Sequence, residues 1–348
     1  MSIKKTNRFS SPKSALHLQC LPMIILFILS CNSQFSECEY NDTYIKGVSI
    51  FFMPPRNQFE TADFTESLLK LKSIGVNTLF LSPSHFTPNP NSDTIFVTSK
   101  TLPDSQLCEA ISLAKSHGFN VVLKPHLNCV NELPRYLIHP NNYSSWLVTY
   151  KQFILHYFAI AEFYNMNSFV IATELDGVVE NDLFIAFCDS IRNSSDISII
   201  YASSYNHFVS TKLWKHVDIM GVNAYFNLDN SLPPSSNTMH ETWNYWLNLI
   251  SQYSTLKGKP VLITEVGYQS RSNATINPGD FSGKPTKDFN IQKECYEALL
   301  SQACKFDPVK GIIFWQWELN STGRFDTCDY TPRDKPAENI LKKYWGGN

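Results

Sequence analysis

The chain of 348 residues carries no run of basic residues beyond its N-terminus, and its formal net charge is only −2. A nucleic-acid groove or a charged membrane patch needs clustered cations, so neither is an expected partner. There is no Cys-x-x-Cys pair, which argues against structural zinc, and no second histidine stands at ligand spacing from His126. No metal is therefore expected. The glycine-rich first turn that cradles a dinucleotide is also missing, since the first apolar run passes into FFMPPRNQF (51–59), which holds no glycine. No linker and no internal repeat of roughly 20–50 residues interrupts the sequence, so a single domain is expected.

Several features are present in strength. Lys4, Lys5, Arg8 and Lys13 precede the apolar run MIILFILS (23–30), which is too short to span a bilayer and reads as a secretory signal. Residues 1–36 are set aside on that ground, leaving 37–348 as the folded domain of a secreted protein, expected to be a monomer. Ile28-Leu29-Ser30-Cys31 also resembles a lipoprotein cleavage box, in which Cys31 would carry a lipid anchor to the membrane. Once Cys20 and Cys31 leave with the signal, Cys38, Cys108, Cys129, Cys188, Cys295, Cys304 and Cys328 remain. An odd number leaves at least one thiol unpaired, and the pairing is not readable from spacing. Asn41, Asn142, Asn193, Asn273 and Asn320 stand in Asn-x-Ser/Thr sequons, about as many as chance supplies.

From residue 45 onward apolar runs alternate with helical patterns. The runs are 46–52, 77–83, 120–127, 168–175, 197–204, 218–226, 260–267 and 310–318. Near-continuous apolar stretches suit parallel strands buried on both faces. Between and after them, 64–75, 104–118, 144–165, 181–192, 210–216, 241–254, 291–304 and 335–345 carry apolar residues at helical spacing. The first two of these end in glycine, a helix stop. Eight strands alternating with eight helices predict an α/β fold of the (β/α)8 TIM-barrel kind. The rival is an open doubly wound sheet, which the missing glycine turn disfavours.

The stretch VLITEVGYQS (261–270) drives a buried strand into one carboxylate, Glu265. Strand ends at the C-terminal rim are where a barrel keeps its chemistry. FVIATELDG (169–177) ends the fourth strand in the same way, with Glu174. Strands four and seven lie nearly opposite each other, so both carboxylates can meet over the mouth. A retaining glycosidase needs such a pair about 5–5.5 Å apart, one as nucleophile and one as acid and base. Each glutamate alone would read as an ordinary loop charge. Tyr225, ending strand six, is placed to hydrogen-bond Glu265 or to fill the core. Lys124 and His126, two apart in LKPHLN, suit hydroxyl binding at a sugar subsite. Trp315 and Trp317, two apart in IIFWQWE, are expected to face the same way, as a stacking surface or as barrel filling.

LKPHLN (123–128), ATEL (172–175), VDIMGVNAYF (217–226), KPVLITEVGYQS (259–270), GIIFWQWE (311–318) and DKPAENILKKYW (334–345) resemble clan A glycoside hydrolases, and within them family 113, the β-mannanases. Thr173, before the expected acid/base, agrees with that family, where most of the clan has Asn. The resemblance implies Glu174 as acid/base and Glu265 as nucleophile. It also implies a retaining mechanism on β-1,4-linked mannan or manno-oligosaccharides without metal or organic cofactor. Lys124, His126, Tyr225 and Trp315 match positions near the sugar. FFMPPRNQF, LSPSHFTPNP and YASSYNHF depart from the family's loops. That leaves another β-linked glycan such as glucan or xylan, or an inactive carbohydrate-binding barrel, as alternatives.

Overall fold

The structure, a computed structural model, describes residues 38–54, 57–280, 282, 286–319 and 328–346. The expected signal, the Cys31 anchor and the Asn320 sequon lie outside the described residues. Eight parallel strands close into a barrel: β1 (Ile45–Phe51), β2 (Thr78–Ser82), β4 (Asn120–Leu123), β6 (Ser168–Thr173), β7 (Ser198–Ser204), β8 (Ile219–Asn223), β9 (Val261–Val266) and β10 (Val309–Phe314). Chain order is ring order, and β10 pairs back onto β1. The expected (β/α)8 barrel is therefore what forms. Phe80, Val122, Val170, Ile200, Ala202, Leu262 and Ile313 fill its interior, with Ile45 and Ile219 packed against them. Burying a residue of Val, Ile, Leu or Phe size contributes roughly 1.5–3 kcal/mol, so this plug makes the barrel a packed core rather than a pore.

Around the strands lie α1 (Thr61–Ser73), α2 (Asp104–Ser116), α3 (Tyr143–Phe163), α4 (Asp182–Arg192), α5 (Ser236–Lys257), α6 (Phe289–Leu300) and α7 (Pro336–Trp345). The glycine stops hold: Gly75, just beyond α1, has φ +86° and lies so close to Trp345 that no side chain would fit. Asn142 caps α3, its side chain accepting from the Ser145 amide. One expected helix does not form. Between β7 and β8, residues 210–216 make only a 3₁₀ turn, Leu213–His216. Thr211 Oγ1 accepts from the Leu213 amide, and Trp214 Nε1 donates to the Phe208 carbonyl at 2.7 Å. These local bonds satisfy the segment without a longer helix, so seven α-helices surround the described barrel.

A second departure sits above the mouth. The runs expected as single strands at 77–83 and 120–127 each break at a proline. Beyond Pro83 and Pro125, which lack the amide to continue a ladder, β3 (Ser84–Thr87) and β5 (His126–Cys129) pair in parallel as a separate two-stranded sheet. Cys38 and Cys304 form a disulfide that ties the segment before β1 to the turn after α6. Cys108, Cys129, Cys188 and Cys295 remain thiols. Among the described residues no helix is long and apolar enough to cross a membrane.

Candidate active site

Strand alternation alone would turn Glu265 away from the mouth. Leu262 faces the barrel interior, and with a period of two the next interior residue on β9 would be Thr264. The ladder skips a residue instead. Val222 pairs with Ile263, but Asn223 pairs with Glu265. A bulge of this kind re-aims a side chain, and it gives Glu265 the inward register. The bulged Thr264 keeps its own partners: its hydroxyl donates to Asn223 Oδ1 at 2.9 Å, and its carbonyl accepts from Lys124 Nζ at 3.1 Å.

Glu265 is 4% exposed and held from both sides. Lys124 Nζ donates to Oε1, and the Tyr225 hydroxyl donates to Oε2 at 2.7 Å. His126 Nε2 stands 3.7 Å from Oε1. The expected Tyr225 bond is therefore present, and Lys124 and His126 converge on the same carboxylate. Burial pulls the Lys124 ammonium below its ordinary pKa, while Glu265 pulls it back up. Burial, with the Arg135 and Lys124 charges, holds the His126 imidazole well below its ordinary pKa. His126 is thus neutral near pH 7, and neither of its ring nitrogens has a hydrogen-bond partner among the described residues.

Glu174 arrives by another route, a turn of the backbone just past its strand rather than an inward register. On β6 the ladder skips between Val170 and Ala172, so Thr173 pairs with the interior-facing Ala202. Glu174 follows with φ +51°, a conformation costly for an L residue, and its amide donates to the Ala202 carbonyl at 2.8 Å. Its carboxyl is raised above the ordinary range, chiefly by burial and then by the negative charge of Glu265, against Arg135, Asn223 and Lys124. The two carboxylates therefore stand within electrostatic reach on one rim, in unlike surroundings. Thr173 is 2% exposed, and its hydroxyl has no partner among the described residues.

The two tryptophans part company. β10 ends at Phe314, so alternation does not extend to them, and the Trp315–Gln316 peptide is cis. Trp315 is half-buried and stacks on His126 at 5.5 Å, with Phe51 at 5.3 Å. It forms a wall of the mouth. Trp317 is fully covered, its amide donating to the Ser49 carbonyl and its ring under the Arg333 guanidinium at 5.8 Å. It is filling and not a sugar-facing surface, which corrects the expectation that both rings face the same way.

Sequence reasoning missed three residues here. Arg135 lies in a 3₁₀ turn after β5, bonded to Asn128 Oδ1 at 2.9 Å, and its charge reaches both Glu174 and His126. Nothing periodic in NELPRYL announces it. Asn223 sat inside the quoted GVNAYF without being singled out. Tyr330 packs edge-on to Tyr225 at 6.4 Å. Gly267, two residues beyond Glu265 in VLITEVGYQS, also has a reason: a Cβ there would lie 2.2 Å from the Trp315 carbonyl. Only glycine lets those two strand ends approach. Among the described residues no group of three or more His, Cys, Asp or Glu is arranged to hold a metal ion.

Known proteins share this fold. A complex of a family 113 β-1,4-mannanase superposes with a TM-score of 0.78 at 23% identity, covering 88% of this chain and 99% of that one. A family 113 β-mannanase from Alicyclobacillus acidocaldarius, in complex with ManMIm, gives 0.76 at 20% identity, over 86% and 96%. An apo β-glucuronidase from Ruminococcus gnavus gives 0.60 at 13% identity, over 87% of this chain and 50% of that one. Identities this low speak for the fold alone. No curated protein sequence matches the chain. The family model of glycoside hydrolase family 113 matches residues 48–330, nearly the whole barrel. The chain is thus a glycoside hydrolase and belongs to family 113.

Proposed function

We propose that this glycoside hydrolase cleaves β-1,4-mannosidic linkages in mannan or manno-oligosaccharides by double displacement, with net retention. The observation that carries the reading is the unlike environment of the two rim carboxylates. Glu174, raised by burial and by its neighbour's charge, keeps a proton to give. Glu265, held by Lys124 and Tyr225, has a fixed oxygen aimed into the mouth.

In the first step Glu174 protonates the glycosidic oxygen as the C–O bond breaks, and Glu265 forms a bond to the anomeric carbon. In the second, Glu174 takes a proton from water, the water oxygen attacks that carbon, and Glu265 leaves as carboxylate. Thr173, Lys124, His126 and Tyr225 supply hydroxyl partners, and Trp315 supplies a flat wall. The mannan specificity is supported by two solved structures that are family 113 β-1,4-mannanases. We also propose that the enzyme acts outside the cell as a monomer, in line with the signal-like residues 1–36.

Two variants test the roles. Glu174→Ala should still form the glycosyl-enzyme from aryl mannosides whose leaving groups need no proton, and azide should then yield the β-mannosyl azide. Glu265→Ala should lose turnover, and azide should yield only the α-azide. Full activity of either variant on polysaccharide would overturn the assignment. So would an α-configured first product from the unmodified enzyme, seen by proton NMR.

A further inference from the structure

We propose that the barrel carries a second carbohydrate site, distinct from the catalytic mouth, that grips a neutral β-linked polysaccharide strand. This extends the mannanase reading and rests on it for the kind of chain bound. The site is a cavity of 580 Å³ between the β3 strand and the helices α2 and α3, lined among others by His85, Phe96, Asp104, Gln152, His156 and Tyr157. That volume falls in the range of about 300–1,000 Å³ that holds a small organic ligand, enough for two sugar rings.

Its position follows from the two-stranded sheet above the mouth. Ser84 pairs with His126, and His85 pairs with Leu127. Successive side chains alternate faces, so His126 turns toward Glu265 while His85 turns to the other side. There His85 packs on Phe153 at 4.6 Å and Tyr157 at 5.5 Å. One thin sheet thus separates the catalytic mouth from the second cavity.

The lining is specific in its chemistry. Tyr157 is 1% exposed, and it borders the cavity close enough to Asp104 to feel its charge. Burial and the neighbouring His156 hold His85 down to about 4, so its ring is neutral and offers one donor and one acceptor at the cavity wall. His156 Nε2 and Asp104 Oδ1 pair at 3.0 Å on the rim. Phe96 there is 40% exposed. No lysine or arginine lines the cavity, so a phosphate, sulfate or uronate would find no counter-charge and would meet Asp104. A wholly apolar partner would offer the Tyr157 hydroxyl and the His85 ring no hydrogen bond, at a cost. A sugar satisfies both demands: its C–H faces lie on the rings, and its hydroxyls bond Tyr157, His85 and Gln152.

The test is affinity electrophoresis in gels containing galactomannan, glucomannan or mixed-linkage β-glucan, with a polysaccharide-free gel as control. A Glu265→Gln background keeps the polymer intact. Gln152→Trp, on an exposed residue, fills the cavity from its rim, and Tyr157→Phe deletes one hydroxyl without changing the ring. Removing one hydrogen bond should weaken retardation about fivefold in Tyr157→Phe, and Gln152→Trp should abolish most of it. With Glu265 restored, both variants should hydrolyse a short manno-oligosaccharide as the unmodified enzyme does. Equal retardation of both variants and their background, or no retardation of the background by any polymer, overturns the second site. Because retardation is read without turnover, the two readings fail separately. A chain that binds through this cavity yet releases no sugar from mannan would sink the proposed activity alone.

Discussion

Replacing Lys124 by methionine probes the energetics of the site most directly. The ammonium is fully buried and donates to the Thr264 carbonyl and to Glu265, itself nearly buried. Methionine keeps most of the side chain's length and its packing near Trp315, whose ring lies 5.9 Å from the Lys124 nitrogen. What is lost is the charge. Glu265 then keeps only the Tyr225 hydroxyl at 2.7 Å as a close donor. Breaking a buried ion pair from one side costs about 3–5 kcal/mol, because the remaining charge is left uncompensated. In a domain of this size that is roughly 5–8 °C in Tm. Adding Glu265→Gln removes the stranded charge, so the double variant should recover most of the loss, with a coupling of about 2–3 kcal/mol. Urea denaturation of the four proteins closes the cycle. If the two single effects simply add, Lys124 is not the counter-charge of Glu265 and this account of the site is wrong.

Three further outcomes are expected. Glu174 must be protonated to act as acid, and its pKa is raised, so the alkaline limb of kcat/KM should lie above the ordinary carboxylate range. Arg135 opposes that rise, so Arg135→Ala should move the limb to higher pH; a move to lower pH counts against the reading. Gly267→Ala would put a methyl 2.2 Å from the Trp315 carbonyl. It should push Trp315 off His126, changing tryptophan fluorescence and lowering kcat/KM about tenfold or more; unchanged kinetics would show that the wall can shift without consequence. Cys38–Cys304 spans a sequence separation of 266 residues. Cys38→Ser should cost about 2–5 kcal/mol, and reductant should lower the Tm of the parent but not of the variant.

The barrel was legible because parallel strands buried on both faces leave nearly unbroken apolar runs, and these marked all eight strands to within a few residues. The carboxylates were legible because a charge at the end of such a run has no packing role. Their aim was not. Whether Glu265 points inward depends on the skipped pairing at Thr264, a property of the ladder with no signature in VLITEV. On β6 a skipped pairing turns Thr173 inward, and the left-handed backbone at Glu174 sets the direction of its carboxylate, with no signature for either in ATEL. Trp317 misled because two-residue spacing predicts a shared face only inside a strand, and the strand had already ended at Phe314. Pro83 and Pro125, read through as parts of single strands, mark the breaks that create the small sheet, and Arg135 beyond it sits in a turn with no periodic pattern. The segment 210–216 shows helical spacing over too few residues to outweigh its local side-chain bonds.

The skipped pairings also bear on how the enzyme tolerates change. Glu265 owes its direction to a count of residues along β9, and Glu174 to a backbone turn placed one residue past β6. Swapping one aliphatic side chain for another beneath them leaves both untouched. Removing a single residue from the tip of β9 would rotate Glu265 out among the surrounding helices, away from Lys124 and Tyr225, so catalysis is far more vulnerable to a change of length than to a change of letter.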